Sequence, residues 1–178
     1  VWGGVHPTLF PGQVLQEASI DYIIRGSGEM PLNKLLDCFK DQSKVATVPG
    51  LGFKKGDDLI LNEEPERADF AEIGPYKFEL LNNLHDWIHF SRGKAYLPYP
   101  AFSYISSRGC PFQCSFCINS VCQHTRNRSG KDIADIIADL RYLREKGKFR
   151  FVYFIDEYFF NNRAWFMDFL DALERSRL

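Results

Sequence analysis

The chain has 178 residues, of which 45% are hydrophobic, 15% are aromatic and 25% are charged, and its formal net charge is −1. This composition supplies one packed domain or two small ones and excludes global disorder. The near-neutral charge argues against nucleic acid or an anionic membrane as an electrostatic partner, and no apolar run is long enough to span a membrane. Because the sequence begins at Val1 without an initiator Met, we expect a fragment of a longer protein.

The first 40 residues alternate between strand and helix patterns. The apolar start before the glycine pair at 3–4 predicts the end of a buried strand, and a helix is predicted over 11–18. A second strand is predicted over 20–24, and apolar residues at helical spacing predict a helix over 30–39. The repeat of strand and helix predicts a parallel, doubly wound α/β layer.

Residues 41–100 have a different character. Apolar runs at 48–53 and 59–61 flank a polar turn and predict a hairpin. The stretch from 57 to 86 is strongly acidic, which is typical of a solvated face, and prolines at 65, 75, 98 and 100 interrupt regular structure. We interpret this segment as a connector between two domains.

The second domain is predicted to start near Ala101. A strand over 102–106 leads into a cysteine loop, and Ser129 and Asp132 form an imperfect capping box before a helix that ends at Gly147. The continuous apolar run 149–155 predicts a strand buried on both faces, and a second helix follows over 162–176. Repeated strand–helix units of this kind form barrels whose chemistry lies at the carboxyl ends of the strands.

The five cysteines are unevenly distributed. Cys38 stands alone, whereas the other four lie within 13 residues: Cys110, Cys114, Cys117 and Cys122. An odd total and this clustering disfavour a secreted disulfide scaffold and favour a metal centre in a reducing compartment. We therefore expect a cytoplasmic protein.

The spacing of Cys110, Cys114 and Cys117 suits a [4Fe–4S] cluster held by three thiolates. Such a cluster leaves one iron open, where the amine and carboxylate of a substrate can chelate it. Two alternatives remain: Cys122 or His124 supplies a fourth ligand to a structural zinc ion, or the cysteines are buried structural thiols.

With Phe116 directly before its third cysteine, this loop resembles the signature of the radical S-adenosylmethionine (SAM) superfamily. The resemblance implies that Cys110, Cys114 and Cys117 bind the cluster and that Phe116 lies against the adenine of SAM, mostly through its backbone. It also implies that the reduced cluster cleaves SAM to methionine and a 5′-deoxyadenosyl radical. Polar residues after the second barrel strand contact SAM in this superfamily, which implicates Asp156 and Glu157.

The segment around Gly3 and Gly4, followed by the run from Asp21 to Glu29, resembles the end of the cobalamin-binding domain that precedes many radical SAM cores. The resemblance implies a Rossmann-like sheet in which the glycine pair lets the backbone pass close to the nucleotide tail of cobalamin. The D-x-H-x-x-G motif of that family, which carries a cobalt-ligating histidine, is absent from this sequence. His6 belongs to a different motif and is not assigned to cobalt.

The sequence thus predicts an α/β chain with the C-terminal part of a Rossmann-like cobalamin-binding domain over 1–40 and a connector over 41–100. The N-terminal part of a partial (β/α)6 radical SAM barrel follows over 101–178. The predicted function is that of a cobalamin-dependent radical SAM enzyme, with methyl transfer to carbon as one outcome, and the fragment alone is expected to be inactive. Its partners would be a small-molecule substrate and an electron donor such as flavodoxin or ferredoxin. The alternatives are a non-enzymatic zinc or iron–sulfur module, and a radical SAM enzyme whose first domain binds no cofactor.

Overall fold

In the computed structural model the described residues are 1–64, 69–84, 86, 100–120, 128–160 and 162–178. The chain divides into two units, Val1–Ala68 and Asp69–Leu178. Among the described residues, no helix combines the length and the apolar character that crossing a membrane requires.

The first unit is built on a four-stranded sheet in the order β1-β2-β3-β4. Its strands are β1 (Trp2–Gly3), β2 (Tyr22–Ile24), β3 (Leu51–Lys55) and β4 (Asp58–Leu61). β1 is parallel to β2, whereas β2–β3 and β3–β4 are antiparallel. The predicted hairpin is confirmed, but the prediction of a purely parallel layer is wrong, because the hairpin extends the sheet from β2.

Among the described residues of this unit, three α-helices accompany the sheet, α1 (Val5–Leu9), α2 (Pro11–Gln16) and α3 (Glu29–Asp37), and 3-10 turns follow at Cys38–Lys40 and Gln42–Thr47. α2 begins with proline, whose missing N–H is harmless in the first turn, and it buries Val14 and Leu15 as predicted. On α3 only part of the predicted apolar face is covered, since Leu35 is buried while Leu32 and Leu36 are exposed. The prediction that the chain begins with a buried strand is also wrong: β1 is an edge strand and both its residues are exposed.

The second unit contains two parallel strands, β5 (Ala101–Tyr104) and β8 (Phe151–Phe154), paired from Ala101 with Phe151 to Tyr104 with Phe154. A short antiparallel pair, β6 (Ser107–Arg108) and β7 (Ser129–Gly130), lies between them in the sequence. Among the described residues of this unit, the two long helices are α4 (Ile133–Glu145) and α5 (Arg163–Ser176), close to the predicted bounds, and short 3-10 turns lie at Phe70–Ile73, Phe78–Leu80 and Ile118–Ser120. The order β5, α4, β8, α5 gives the strand–helix repeat expected from the sequence.

The core of the second unit lies between the two strands and the two helices. It is largely aromatic and aliphatic, and its buried members are Phe78, Phe102, Tyr104, Ile136, Leu140, Leu143, Phe149 and Phe169. Phe78 comes from the segment that we interpreted as a connector, so residues 69–84 pack as part of the second unit while the hairpin belongs to the first. The structural boundary therefore differs from the predicted boundaries at 40 and 100.

Two local predictions in the second unit are wrong. β8 is not buried on both faces: Val152 and Phe154 pack on the core, whereas Phe151 and Tyr153 are exposed. The capping box does not form either, because Ser129 belongs to β7. Its hydroxyl accepts the N–H of Phe70 at 2.6 Å, and the helix N-cap Asp132 makes no side-chain cap.

Candidate metal and cofactor site

The cysteine loop starts beyond the carboxyl ends of β5 and β8. The last paired residues of these strands are Tyr104 and Phe154, and the chain then passes through β6 to Gly109. Gly109 has a φ of 96°, a conformation that costs little only for glycine, and it turns the backbone toward Cys110. The loop therefore lies where parallel α/β sheets place their chemistry.

The three cysteines of the motif are free thiols on this loop. Cys114 is exposed, and Cys110 and Cys117 are half-buried. The N–H of Cys117 donates to the carbonyl of Cys114 at 2.9 Å, and the carbonyl of Cys117 accepts both the N–H and the hydroxyl of Ser120. These bonds form consecutive turns that keep the second and third cysteines close in space.

The donor chemistry of this loop fits an iron–sulfur cluster, because three thiols that form no disulfide lie on one loop and are accessible from solvent. Within the part of the chain that the structure describes, no group of three or more His, Cys, Asp or Glu side chains has a geometry that could hold a metal ion. The ligand set Cys110, Cys114 and Cys117 thus stays a prediction. Cys122 and His124, the alternative fourth ligands, lie outside the described residues.

The two carboxylates after β8 face the start of the cysteine loop. Asp156 accepts the N–H of Ser106 at 3.2 Å and the hydroxyls of Ser106 and Ser107 at 2.7 and 2.5 Å. The neighbouring Glu157 accepts the N–H of Gly109 at 2.6 Å through Oε2. The structure therefore brings both predicted SAM-binding acids to the cysteine loop.

Phe116 and Phe112 present aromatic rings on the same loop. The Phe116 residue is 92% exposed, so its ring is accessible to a ligand. Phe112 lies edge-on to Tyr158 with ring centroids 5.1 Å apart. The loop thus carries an open apolar face beside its cysteines.

A buried polar network behind the loop was missed by the sequence analysis. Lys131 Nζ lies 2.6 Å from Asp139 Oδ2, and the two side chains are 0% and 1% exposed. Asp139 also accepts the Tyr104 hydroxyl at 2.6 Å and the backbone N–H of Tyr76 at 2.8 Å. The backbone N–H of Lys131 donates to the carbonyl of Ser106, which connects the network to the start of the cysteine loop.

The electrostatics of this network follow from its burial. Desolvation lowers the pKa of Lys131 from its ordinary value, although the contact with Asp139 opposes that shift. Desolvation and the hydrogen bond to Asp139 both raise the pKa of Tyr104, so its hydroxyl is a donor. The Lys131 ammonium also lies 3.5 Å from the centroid of the Tyr76 ring, a cation–π contact that compensates part of its lost hydration.

In the first unit, Gly3 and Gly4 form an exposed turn at the carboxyl end of β1. Gly4 has a φ of 102°, and a Cβ there would meet no atom within 4 Å, so the space beside it is open. The Thr8 hydroxyl donates to the Gly4 carbonyl at 2.7 Å and accepts the N–H of Gly26 at 3.0 Å. The turns after the parallel strands β1 and β2 are therefore joined, at the edge where such sheets bind ligands.

The sequence of this chain is similar to part of a longer known protein. No protein-family model matches the chain. Anaerobic magnesium-protoporphyrin IX monomethyl ester cyclase of Cereibacter sphaeroides is 30% identical over 182 residues, which cover 97% of this chain and 28% of that protein.

Solved structures show the same fold at lower identity. The cobalamin-dependent S-adenosylmethionine radical enzyme OxsB, with aqua-cobalamin and S-adenosylmethionine bound, matches with a TM-score of 0.75 at 22% identity, over 97% of this chain and 24% of that one. The radical S-adenosylmethionine methyltransferase TsrM from Kitasatospora setae, with cobalamin and a [4Fe–4S] cluster bound, matches with a TM-score of 0.68 at 15% identity, over 98% and 33%. The chain thus spans about a third or less of each of these three proteins. Over nearly its whole length, this α/β chain is therefore similar in sequence to the cyclase and shares the fold of the corresponding part of the cobalamin-dependent radical SAM enzyme OxsB.

Proposed function

We propose that this chain forms the cluster-binding and SAM-binding part of a radical SAM enzyme, together with the edge of a cobalamin-binding unit. The observation that carries the proposal is the placement of three free thiols on one loop beyond the carboxyl ends of parallel strands β5 and β8. The similarity to enzymes whose structures contain cobalamin, SAM or a [4Fe–4S] cluster supports it.

Cys110, Cys114 and Cys117 would hold the [4Fe–4S] cluster, with one iron left free for the amine and carboxylate of SAM. When bound, such a cluster supplies the electron that cleaves SAM reductively to methionine and a 5′-deoxyadenosyl radical. The protein's own contribution is to hold the thiols, to bind SAM and to shield the site.

Phe116 and Glu157 are the side chains that we assign to SAM. The exposed ring of Phe116 offers an apolar surface to the adenine, and the resemblance implies that this residue contacts the adenine mostly through its backbone. The exposed carboxylate of Glu157 can accept a hydrogen bond from the SAM ammonium, a charge-assisted contact. Asp156 is the other sequence-based candidate, but its carboxylate already accepts bonds from Ser106 and Ser107.

In the first unit, the exposed Gly3-Gly4 turn would let cobalamin approach the backbone closely. With cobalamin bound, methyl transfer to a carbon atom of a small-molecule substrate is the reaction that we propose. A cytoplasmic location and reduction by a flavodoxin or a ferredoxin complete the proposal.

The experiment that tests the cluster is anaerobic reconstitution of the chain with iron and sulfide. We expect about four irons per chain and an electron paramagnetic resonance (EPR) signal after reduction that changes when SAM is added. Single Cys→Ala variants at 110, 114 and 117 should each lose most of the iron. Cys38→Ala, which removes a buried thiol of the first unit, is the matched control and should keep it.

Two further variants separate the cluster from a zinc site. Cys122→Ala and His124→Ala should leave the iron content and the SAM response unchanged, because an open iron needs only three protein ligands. Zinc without iron in the purified chain, lost in either of these variants, would instead establish a structural zinc module.

A further inference from the structure

We infer that Asp156 is a positioning residue that fixes the start of the cysteine loop and does not itself bind SAM. The inference deepens the proposed function, on which its consequence for the cluster rests. The geometry that carries it is a set of hydrogen bonds between the residue pair after β8 and the residues that directly precede Cys110.

The first step is the burial of the groups that donate hydrogen bonds to Asp156. Ser106 and Ser107 are 0% and 1% exposed, so their polar groups have no access to bulk water. A buried hydroxyl or N–H without a partner is costly, and Asp156 accepts the N–H of Ser106 and both hydroxyls. The carboxylate thus satisfies three donors at one point.

The second step is that this contact spans the gap between two strands. Asp156 follows β8, whereas Ser106 follows β5 and Ser107 opens β6. Glu157 adds a second bridge through the N–H of Gly109, directly before Cys110. Hydrogen bonds to a carboxylate are stronger than neutral ones, so these bridges fix the path of the chain into the loop.

The third step concerns what remains available to a ligand. Both serine hydroxyls converge on Oδ1 of Asp156, and the Ser106 N–H lies 3.2 Å from each of its oxygens. Asp156 is half-buried, whereas Glu157 is exposed and uses only Oε2 for Gly109 in the bonds described. Asp156 therefore orders the loop, and Glu157 is left to contact SAM.

This division of roles has a consequence for the cluster. An ordered loop loses less conformational entropy when its thiols close around a metal centre, so pre-ordering by Asp156 favours cluster binding. Removing the carboxylate should weaken cluster loading while leaving the affinity of the loaded protein for SAM unchanged.

The test compares Asp156→Ala and the isosteric Asp156→Asn with Asp168→Asn, which changes an exposed acid on α5. Hydrogen exchange of the iron-free chain is measured at the amides of Ser106 and Gly109. The iron content after reconstitution is then measured, and the SAM affinity is taken from the EPR change. Glu157→Gln is the comparison for a residue that contacts SAM.

We expect Asp156→Ala to exchange the Ser106 amide about tenfold faster and to bind about threefold less iron, with Asp156→Asn intermediate. The loaded Asp156→Asn protein should bind SAM within about twofold of wild type, whereas Glu157→Gln should bind it about tenfold more weakly. Asp168→Asn should match wild type in all three measurements.

Two results would overturn the inference. The first is an Asp156→Ala protein with a native circular dichroism spectrum in which the hydrogen exchange rate of the Ser106 amide is unchanged. The second is an Asp156→Asn protein that keeps its iron content but binds SAM tenfold more weakly. If the wild-type chain bound no iron at all, the proposed function would fail. The exchange measurement would still decide whether Asp156 orders the loop, so the two failures are distinguishable.

Discussion

At the scale of single residues, the ion pair between Lys131 and Asp139 is a fully buried polar contact of the second unit. Asp139→Ala would leave a buried ammonium without its counter-charge and remove the acceptor of the Tyr104 hydroxyl and the Tyr76 N–H. We expect a loss of about 3–5 kcal/mol in the free energy of unfolding, measured by urea denaturation followed by circular dichroism.

The control for this prediction is an ion pair of the same kind at the surface. Arg175 and Asp171 lie 3.7 Å apart on α5 with their side chains 81% and 54% exposed. Asp171→Ala should cost no more than about 0.5 kcal/mol, because exposed pairs contribute little. Equal effects of the two substitutions would show that burial does not set the energy of the Lys131–Asp139 pair.

The residues of the site differ in how far the sequence alone predicts them. The cysteine spacing identifies candidate ligands directly, because the motif is local. Asp139 also has a local signal in the sequence, because it lies three residues after Ile136 and four before Leu143, on the buried side of α4. The contact of Asp156 with Ser106 carries no such signal, because 50 residues separate the two and only strand pairing brings them together.

At the scale of the elements, β3 contains a glycine at a position where the neighbouring side chains leave no room for a Cβ. Gly52 pairs with Ile23 on one side and Leu61 on the other, and a Cβ at this position would lie 2.7 Å from Ile23 Cγ1 and 2.8 Å from Leu61 Cδ2. Ile23 is fully buried and has little room to move. We expect Gly52→Ala to cost about 1–3 kcal/mol in the free energy of unfolding.

Gly12 in α2 provides the matched substitution in the same unit. A Cβ there would meet only Leu59 at 4.0 Å, and alanine is the better helix former. Gly12→Ala should therefore be neutral or stabilise by up to about 1 kcal/mol. Urea denaturation of both variants checks the pair, and a Gly52→Ala protein as stable as wild type would contradict the packing argument.

The elements themselves were predictable where one periodic pattern dominated. α4 and α5 follow clear apolar stripes, and the hairpin follows two apolar runs around a polar turn. The direction of strand pairing was not predictable in the first unit, because nothing local specifies that β3 joins β2 antiparallel. The sequence of β8 predicts a strand buried on both faces because its outward positions hold the aromatic residues Phe151 and Tyr153. In the structure both residues are exposed.

At the scale of the whole molecule, the two candidate cofactor regions belong to different units. The cysteine loop lies in Asp69–Leu178, and the Gly3-Gly4 turn lies in Val1–Ala68. Cluster loading should therefore slow hydrogen exchange within 106–120, and aquacobalamin should slow it at the turns after β1 and β2. This pattern would separate a cobalamin-binding first unit from one that binds no cofactor.

Two glycines from different turns of the first unit allow a specific test of the cobalamin prediction. Gly4 and Gly56 both have positive φ, at 102° and 62°, and at both positions an added Cβ would meet no atom within 4 Å. Gly4→Ala places a methyl group in the open space where we propose that cobalamin approaches, whereas Gly56→Ala changes only the hairpin turn of β3 and β4.

Each alanine carries a backbone penalty of about 1–3 kcal/mol, and the penalty is larger at Gly4, whose φ of 102° and ψ of −163° are essentially restricted to glycine. Both variants should therefore be less stable than wild type, Gly4→Ala more so. Only Gly4→Ala should weaken aquacobalamin binding, by about tenfold or more, as measured by absorbance titration and by loss of exchange protection after β1. Equal binding by both variants would exclude the glycine turn as the cobalamin contact. Absence of any protection in the wild-type first unit would favour a radical SAM enzyme whose first unit binds its substrate or a partner without cobalamin.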